Sequence, residues 1–374
     1  MPAPERRYDI DWLRVIAIGL LLIYHIAIGF QPWGVMIAFI TNSESWQALL
    51  IPMSMLNIWR IPLLFFVSGM GLYFAMGKRN FTQLIMERSR RILLPYVFGM
   101  FAIVPIHLLI WRYHYNMDMT YTWDAGHLWF LANIFAYVLA LAPVFYLLRS
   151  QKSSRIRNLI IKVLSHPMGL LVVAAAMVAE SVLLNPIPYE LYAKTWHGFS
   201  LGLLAFFFGY CFVLAGPGFW KMIQKYRLVF VLMATALFAI RTFYFGIGVP
   251  LYLIPIESLA WILSLLAFGS KYLNRPSKAL AYLSEAAYPV YILHMIFLYL
   301  GSLLIFPMDI AVQLKFVLVL LFTSIGCFAA FEGIRRVKLL RLLFGLRVQK
   351  SEKHFGQISP SEDQSSLDRV VLRR

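Results

Sequence analysis

The chain has 374 residues, 61% of them hydrophobic and 14% charged, with a formal net charge of +17 and a mean hydropathy of +0.72. A soluble domain holds ~45–50% apolar and ~25% charged residues, so this is the composition of an integral membrane protein. The basic residues sit in short clusters between apolar runs, with no RNA-binding motif or zinc-finger spacing, which argues against a nucleic-acid partner. Cys211 and Cys327 each lie inside an apolar run and give neither a metal ligand set nor a disulfide framework.

Ten apolar runs predict ten transmembrane helices, at 10–30, 47–77, 92–111, 128–148, 167–184, 198–215, 228–245, 250–269, 282–305 and 310–334, hence an all-α polytopic bundle. The first run follows a basic N-terminus as a signal peptide would. It is long, however, is interrupted by Arg14 and His25 and is followed by no small-x-small cleavage site, so it reads as a retained span. Pro52 and Pro62 predict a kink or an interfacial start for the second span, and the GIGVP turn at 246–250 separates the seventh from the eighth. On this topology 28 of the 34 lysines and arginines share one side, while Arg112 and Lys194 alone lie on the other. That asymmetry predicts cytoplasmic N- and C-termini. Residues 1–350 read as one membrane domain without internal repeats, and the polar, Ser-rich segment 351–374 as a disordered cytoplasmic tail.

The polar residues inside the spans are the candidates for chemistry, because ionisable groups in a membrane are costly and usually face a bundle interior or a wet cavity. On the first span, Arg14 and His25 are eleven residues apart, which returns to within ~20° of the same helix face with a rise of about 16 Å. Asp11 is placed to neutralise Arg14 in part. A buried neutral imidazole is a suitable general base, and Arg14 suits a phosphate-bearing ligand. At the end of the second span, Ser68, Gly69 and Gly71 permit close backbone approach, a packing signal before a site signal. Arg88, Arg90 and Arg91 in MERSRRILLPY read as a cytoplasmic loop that positive-inside topology alone would explain. The outer segments 112–127 and 185–197 are rich in Tyr, Trp, His and carboxylates, suiting either an interfacial belt or a platform for a sugar-like substrate. Glu180, Arg241 and Glu257 are scattered intramembrane charges, of which Arg241 and Glu257 can pair across the turn between their spans. In the ninth span Pro289 breaks the helix ladder, and Tyr291 and His294 share one face. HExxH, GxSxG and P-loop patterns are absent, so hydrolase and ATPase readings lack support.

These elements in this order resemble the acyltransferase-3 family of multi-spanning membrane acyltransferases. The match comprises RxYxxDWLRVIA with Arg14 and His25, PLLFFVSGM at 62–70, Arg88 and Arg91 before ILLPY, HLWFL at 127–131 and YPVYILH at 288–294. The resemblance implies transfer of an acyl group from cytoplasmic acyl-CoA to a hydroxyl of an extracytoplasmic glycan. It gives His25 the base or acyl-relay role, Arg14 donor positioning, and Arg88 and Arg91 the CoA phosphates. Ser68 matches a motif without an assigned role. Asp11, His127, Tyr291 and His294 match less specific elements, and Glu257 joins them as a supporting residue. The DWLRVIA form of the opening is most similar to the glucan-biosynthesis protein C branch, which resembles succinyltransferases of osmoregulated periplasmic glucans. Acetyl-CoA and succinyl-CoA both stand as donor substrates, with no metal and no permanently bound cofactor. The resemblance places the protein in a bacterial inner membrane and leaves its oligomeric state open. Many relatives carry a fused hydrolase-like domain that this sequence lacks, so direct transfer or an acyl intermediate within the membrane domain is expected. The alternative is a transporter or flippase, in which the same ionisable residues line a permeation path.

Overall fold

The computed structural model describes residues 6–77, 79–150, 154–246 and 249–347. The tail expected at 351–374 lies outside the described residues. Ten helices are long and apolar enough to cross a membrane, and no strand occurs among the described residues. In chain order with three shorter helices they are α1 (Tyr8–Ile28), α2 (Gln47–Met76), α3 (Phe81–His114), α4 (Gly126–Arg149), α5 (Ser154–Leu164), α6 (Pro167–Leu184), α7 (Trp196–Leu214), α8 (Pro217–Lys225), α9 (Arg227–Phe245), α10 (Leu253–Tyr272), α11 (Lys278–Ile305), α12 (Val312–Ile334) and α13 (Lys338–Leu343). An even number of crossings returns the described chain to the face where it starts, the terminal face. There the backbone N–H of Tyr8 donates to Asn274 Oδ1 at 3.0 Å, tying the start of α1 to the turn after α10.

The hydropathy runs locate every span, but α3 corrects the reading of the basic segment before it. That segment is helical, not a loop. It starts at an Asn80–Gln83 capping box and continues into the third span through two wide turns, at Ser89–Leu93 and Gly99–Ile103. Hydropathy misses this because FTQLIMER is half polar, whereas the cap and an unbroken backbone ladder make it helical. The wide turn at Ser89–Leu93 lets the helix absorb an extra residue where the arginines project. Pro62 lies inside α2 and Pro289 inside α11.

The core is set by α2 against α7. A side chain on Gly69 would meet the Phe206 carbonyl oxygen at 1.9 Å, and one on Gly209 would meet the Phe66 oxygen at 2.1 Å. The two helices therefore touch backbone to backbone at reciprocal glycines, which is what small residues achieve in membranes, where apolar burial supplies little drive between helices. Pro62–Met70 thus centres the bundle, with Phe65 and Phe66 fully buried against Tyr137 and Phe212. A second apolar cluster joins the end of α1, the 30–46 loop, α11 and α12. Here buried Lys315 is held by the Phe306 carbonyl at 2.8 Å and Asn42 Oδ1 at 3.2 Å, which accounts for a lysine inside the tenth span. Cys211 and Cys327 are both buried free thiols.

Candidate active site

The site forms where α1, the start of α4 and the middle of α11 meet. His25 Nδ1 lies 2.8 Å from His294 Nε2, with the two imidazoles nearly coplanar at 7°. His294 Nδ1 lies 2.7 Å from the Tyr291 carbonyl oxygen. A carbonyl only accepts, so His294 carries its proton on Nδ1 and presents Nε2 as an acceptor. His25 must then donate from Nδ1, which leaves its Nε2 with a free lone pair. Local backbone geometry on α11 thereby fixes the tautomer of a histidine 269 residues away. His294 is buried, while His25 keeps part of its surface accessible, the arrangement of a base with an oriented inner side and a reachable outer nitrogen.

His127 and Tyr291 lock this pair in place. The Tyr291 hydroxyl donates to the His127 carbonyl, and His127 Nε2 donates back to the Ile292 carbonyl at 3.1 Å. Two reciprocal bonds thus clasp the first turn of α4 to α11, with the His127 ring edge-on to His294 at 4.9 Å between centroids. The preceding turn requires Gly126 at φ +48°; Asp124 Oδ1 caps its N–H at 2.5 Å and also binds Lys194 Nζ at 2.5 Å. The sequence signal for the clasp is DAGHLWFL, of which only the last five residues stood out. His107 escaped notice altogether. Buried on α3, its ring centroid lies 5.5 Å from that of His127, and its Nδ1 has no partner. As an ionisable residue inside a predicted span, it met the same criterion that singled out His25.

Arg14 lies toward the terminal face, with Nη1 at 3.4 Å from Asp11 Oδ1; Asp11 is shared with Arg6 at 3.2 Å. The Arg14 side chain retains 38% of its surface. Gly71 makes the space for it, since a side chain there would stand 3.2 Å from Arg14 Nη2. Arg88 and Arg91 both grip Glu87, at 3.1 and 3.0 Å. That acid, unremarked in the sequence, holds the two guanidinium groups side by side, while Arg90 is exposed. Arg14, Arg79 and Arg91 each lie close enough to Arg88 for their charges to act on it, so Arg14 of α1, Arg79 and the arginines early in α3 form one basic cluster. Ser68 Oγ bonds back to the Leu64 carbonyl at 2.7 Å and makes no hydrogen bond to the histidines or arginines named here. Glu257 is set apart as well. Both its oxygens bind Arg241, at 2.6 and 3.1 Å, and Arg241 also reaches the Ser54 carbonyl, tying α9 and α10 to α2.

On the face opposite the chain ends, Glu180 on α6 binds His197 Nδ1 of α7 at 2.9 Å, both buried. Tyr189 and Tyr192 pack on the His197 ring, with centroids at 4.8 and 5.4 Å. Burial pushes both phenols well above their ordinary range, with Glu180 adding to the effect at Tyr189, so both stay neutral. Tyr189 and Glu190 also line a crevice of about 440 Å³ at this face. No group of three or more His, Cys, Asp or Glu among the described residues is arranged to hold a metal ion.

Compared with known proteins, residues 7–332 match the acyltransferase-3 family model, described as an acyltransferase domain. No curated protein and no solved structure matches the chain. A match over nearly the whole helical bundle, carrying both the oriented histidine and the basic cluster, is decisive: the chain belongs to the acyltransferase-3 family and is a multi-pass membrane enzyme that transfers acyl groups to a hydroxyl.

Proposed function

We propose that the protein moves an acetyl or succinyl group from acyl-CoA at the cytoplasmic face of a bacterial inner membrane to a hydroxyl of an extracytoplasmic glycan, an osmoregulated periplasmic glucan being the foremost acceptor. The observation that carries this reading is the His25–His294–Tyr291 chain, which leaves His25 Nε2 as a base. The excess of basic residues on the terminal face supports its placement on the cytoplasmic side. Arg14, Arg88 and Arg91 there suit the CoA phosphates, because guanidinium groups bind such oxygens bidentately. The roughly 16 Å helix rise from Arg14 to His25 is on the order of the pantetheine arm, so the thioester reaches the imidazole while the charged nucleotide stays outside. The crevice lined by Tyr189 and Glu190 suits a sugar, with an apolar wall and a carboxylate for hydroxyls.

In the direct form of the reaction, His25 Nε2 takes the proton of the acceptor hydroxyl as its oxygen attacks the thioester carbonyl. The C–S bond breaks as the ester forms, and the imidazolium returns the proton to the leaving CoA thiolate. His294 accepts the His25 Nδ1–H throughout and so stabilises the imidazolium. In the alternative form, His25 itself carries the acyl group between donor and acceptor.

The test uses purified protein in liposomes with labelled acetyl-CoA or succinyl-CoA. Free CoA should appear only with a glucan acceptor, and His25→Ala should abolish it without loss of folding. Full turnover by His25→Ala would refute the central role of α1. Glycan movement without CoA release would make the protein a transporter.

A further inference from the structure

Arg60 is the least satisfied buried charge among the described residues. It sits on α2 in the half of the bundle away from the chain ends, is 3% exposed, and lies over Tyr24 with Cζ 3.8 Å from the ring centroid. Its Nε and Nη1 have no partner, and Nη2 makes one long contact of 3.5 Å, to Asn57 Oδ1. No carboxylate among the described residues lies within 4.0 Å of it. The other buried arginine, Arg241, is by contrast fully engaged by Glu257 and the Ser54 carbonyl. A buried cation without a counter-ion is costly unless something supplies the charge. The position of Arg60 shows from where. Two residues earlier, the Ile58 carbonyl accepts from Tyr192 of the outer loop at 3.2 Å and from Ser258 at 2.9 Å, while Tyr24 adjoins His25 in the chain. Arg60 therefore lies between the outer loop and the base.

We propose that Arg60 binds an anionic oxygen group, a carboxylate or phosphate, carried by one of the two substrates. The inference rests on the acyl-transfer reading above. A stable anion is favoured over the tetrahedral oxyanion, which is fleeting and would leave Arg60 uncompensated in every bound ground state. The anion can come from the far end of a dicarboxylic acyl chain or from a substituent of the acceptor.

Two measurements on the whole protein in detergent test this. Succinate and inorganic phosphate, but not neutral succinamide, should raise the melting temperature, and Arg60→Gln should reduce that rise, the part that remains belonging to Arg14, Arg88 and Arg91. In turnover, Arg60→Gln should lower kcat/KM about 10–100-fold, the worth of a charge-assisted hydrogen bond, only for the substrate pair that contains the anion, with partial recovery in Arg60→Lys. Loss confined to succinyl-CoA locates the anion on the acyl group. Loss confined to a phosphate-bearing glycan locates it on the acceptor. Equal loss with acetyl-CoA and a neutral glucan, or no loss with any pair, would overturn the proposal. If the wild type transfers from no donor, the acyl-transfer reading fails, and the melting measurement still reports whether Arg60 holds an anion.

Discussion

His25 and His294 meet nitrogen to nitrogen at 2.8 Å, and the carbonyl of Tyr291, on the same helix as His294, decides which of the four nitrogens is basic. This pairing makes separable predictions for the two rings. His25→Ala removes the base and should lower kcat by ~10²–10⁴-fold. His294→Ala leaves the base in place but frees its tautomer and removes the acceptor that stabilises the imidazolium. Its kcat should fall on the order of 10²-fold, with KM for acyl-CoA little changed. His294→Gln, whose amide oxygen can accept from Nδ1, should recover part of the loss. Steady-state kinetics at several pH values checks this: identical pH profiles for wild type and His294→Ala would leave His294 a purely structural role.

The two glycines of the SGMG stretch should respond to alanine differently. Gly69→Ala drives a methyl into the Phe206 carbonyl and must separate α2 from α7. Overpacking of this kind costs about 1–3 kcal/mol or more, read as a lower melting temperature in detergent. Gly71→Ala brings a methyl to 3.2 Å from Arg14 Nη2, a flexible side-chain end that can move. Stability should change little, and the apparent KM for acyl-CoA should rise as Arg14 is displaced, by about tenfold if one charge-assisted contact is lost. A stability loss at Gly71 equal to that at Gly69 would remove the distinction.

The ten spans were legible because each is a long apolar run, and the Arg14–His25 stripe because a single helix fixes its own spacing. Partner identity was not. Nothing in the spacing of α1 announces that His294, 269 residues on, completes His25, since that contact is set by how α1 and α11 pack. The Arg241–Glu257 pair was foreseeable, as the two lie on consecutive spans joined by a short turn. Arg60 and His107 could have been singled out by the rule that picked His25, but neither stands in a motif, and only their unpartnered atoms mark them. Helicity from Phe81 to Leu93 was hidden because charge lowers hydropathy without lowering helix propensity.

Glu257 provides a test of structure independent of catalysis. It is 1% and Arg241 7% exposed, so Glu257→Ala strands a buried guanidinium and should cost about 3–5 kcal/mol. Replacing both, as Arg241→Met with Glu257→Leu, removes the stranded charge and should restore most of the stability. Melting curves of the two variants decide it: a double variant as unstable as the single one would mean the pair contributes more than charge neutralisation.

The loops on the face opposite the chain ends carry a pH-dependent tie in Asp124 and Lys194. Burial raises the Asp124 carboxyl, but the hydrogen bonds from Lys194 and from the Gly126 N–H, with the Lys194 charge, outweigh it and hold the carboxyl below its ordinary value. A carboxyl depressed in the folded state binds protons less readily there than in the unfolded chain. Its stabilisation is therefore complete above the unfolded value near ~4 and drains away as pH falls through the lower folded value. Melting temperature followed from pH 6 downward should drop in the wild type below about pH 4. In Asp124→Asn it should start lower and lose this component of the slope, while Lys194→Met should weaken it. Since the Gly126 turn feeds directly into the His127–Tyr291 clasp, both variants should also lose kcat at neutral pH. An unaltered acid limb in Asp124→Asn would show that other carboxylates govern acid stability.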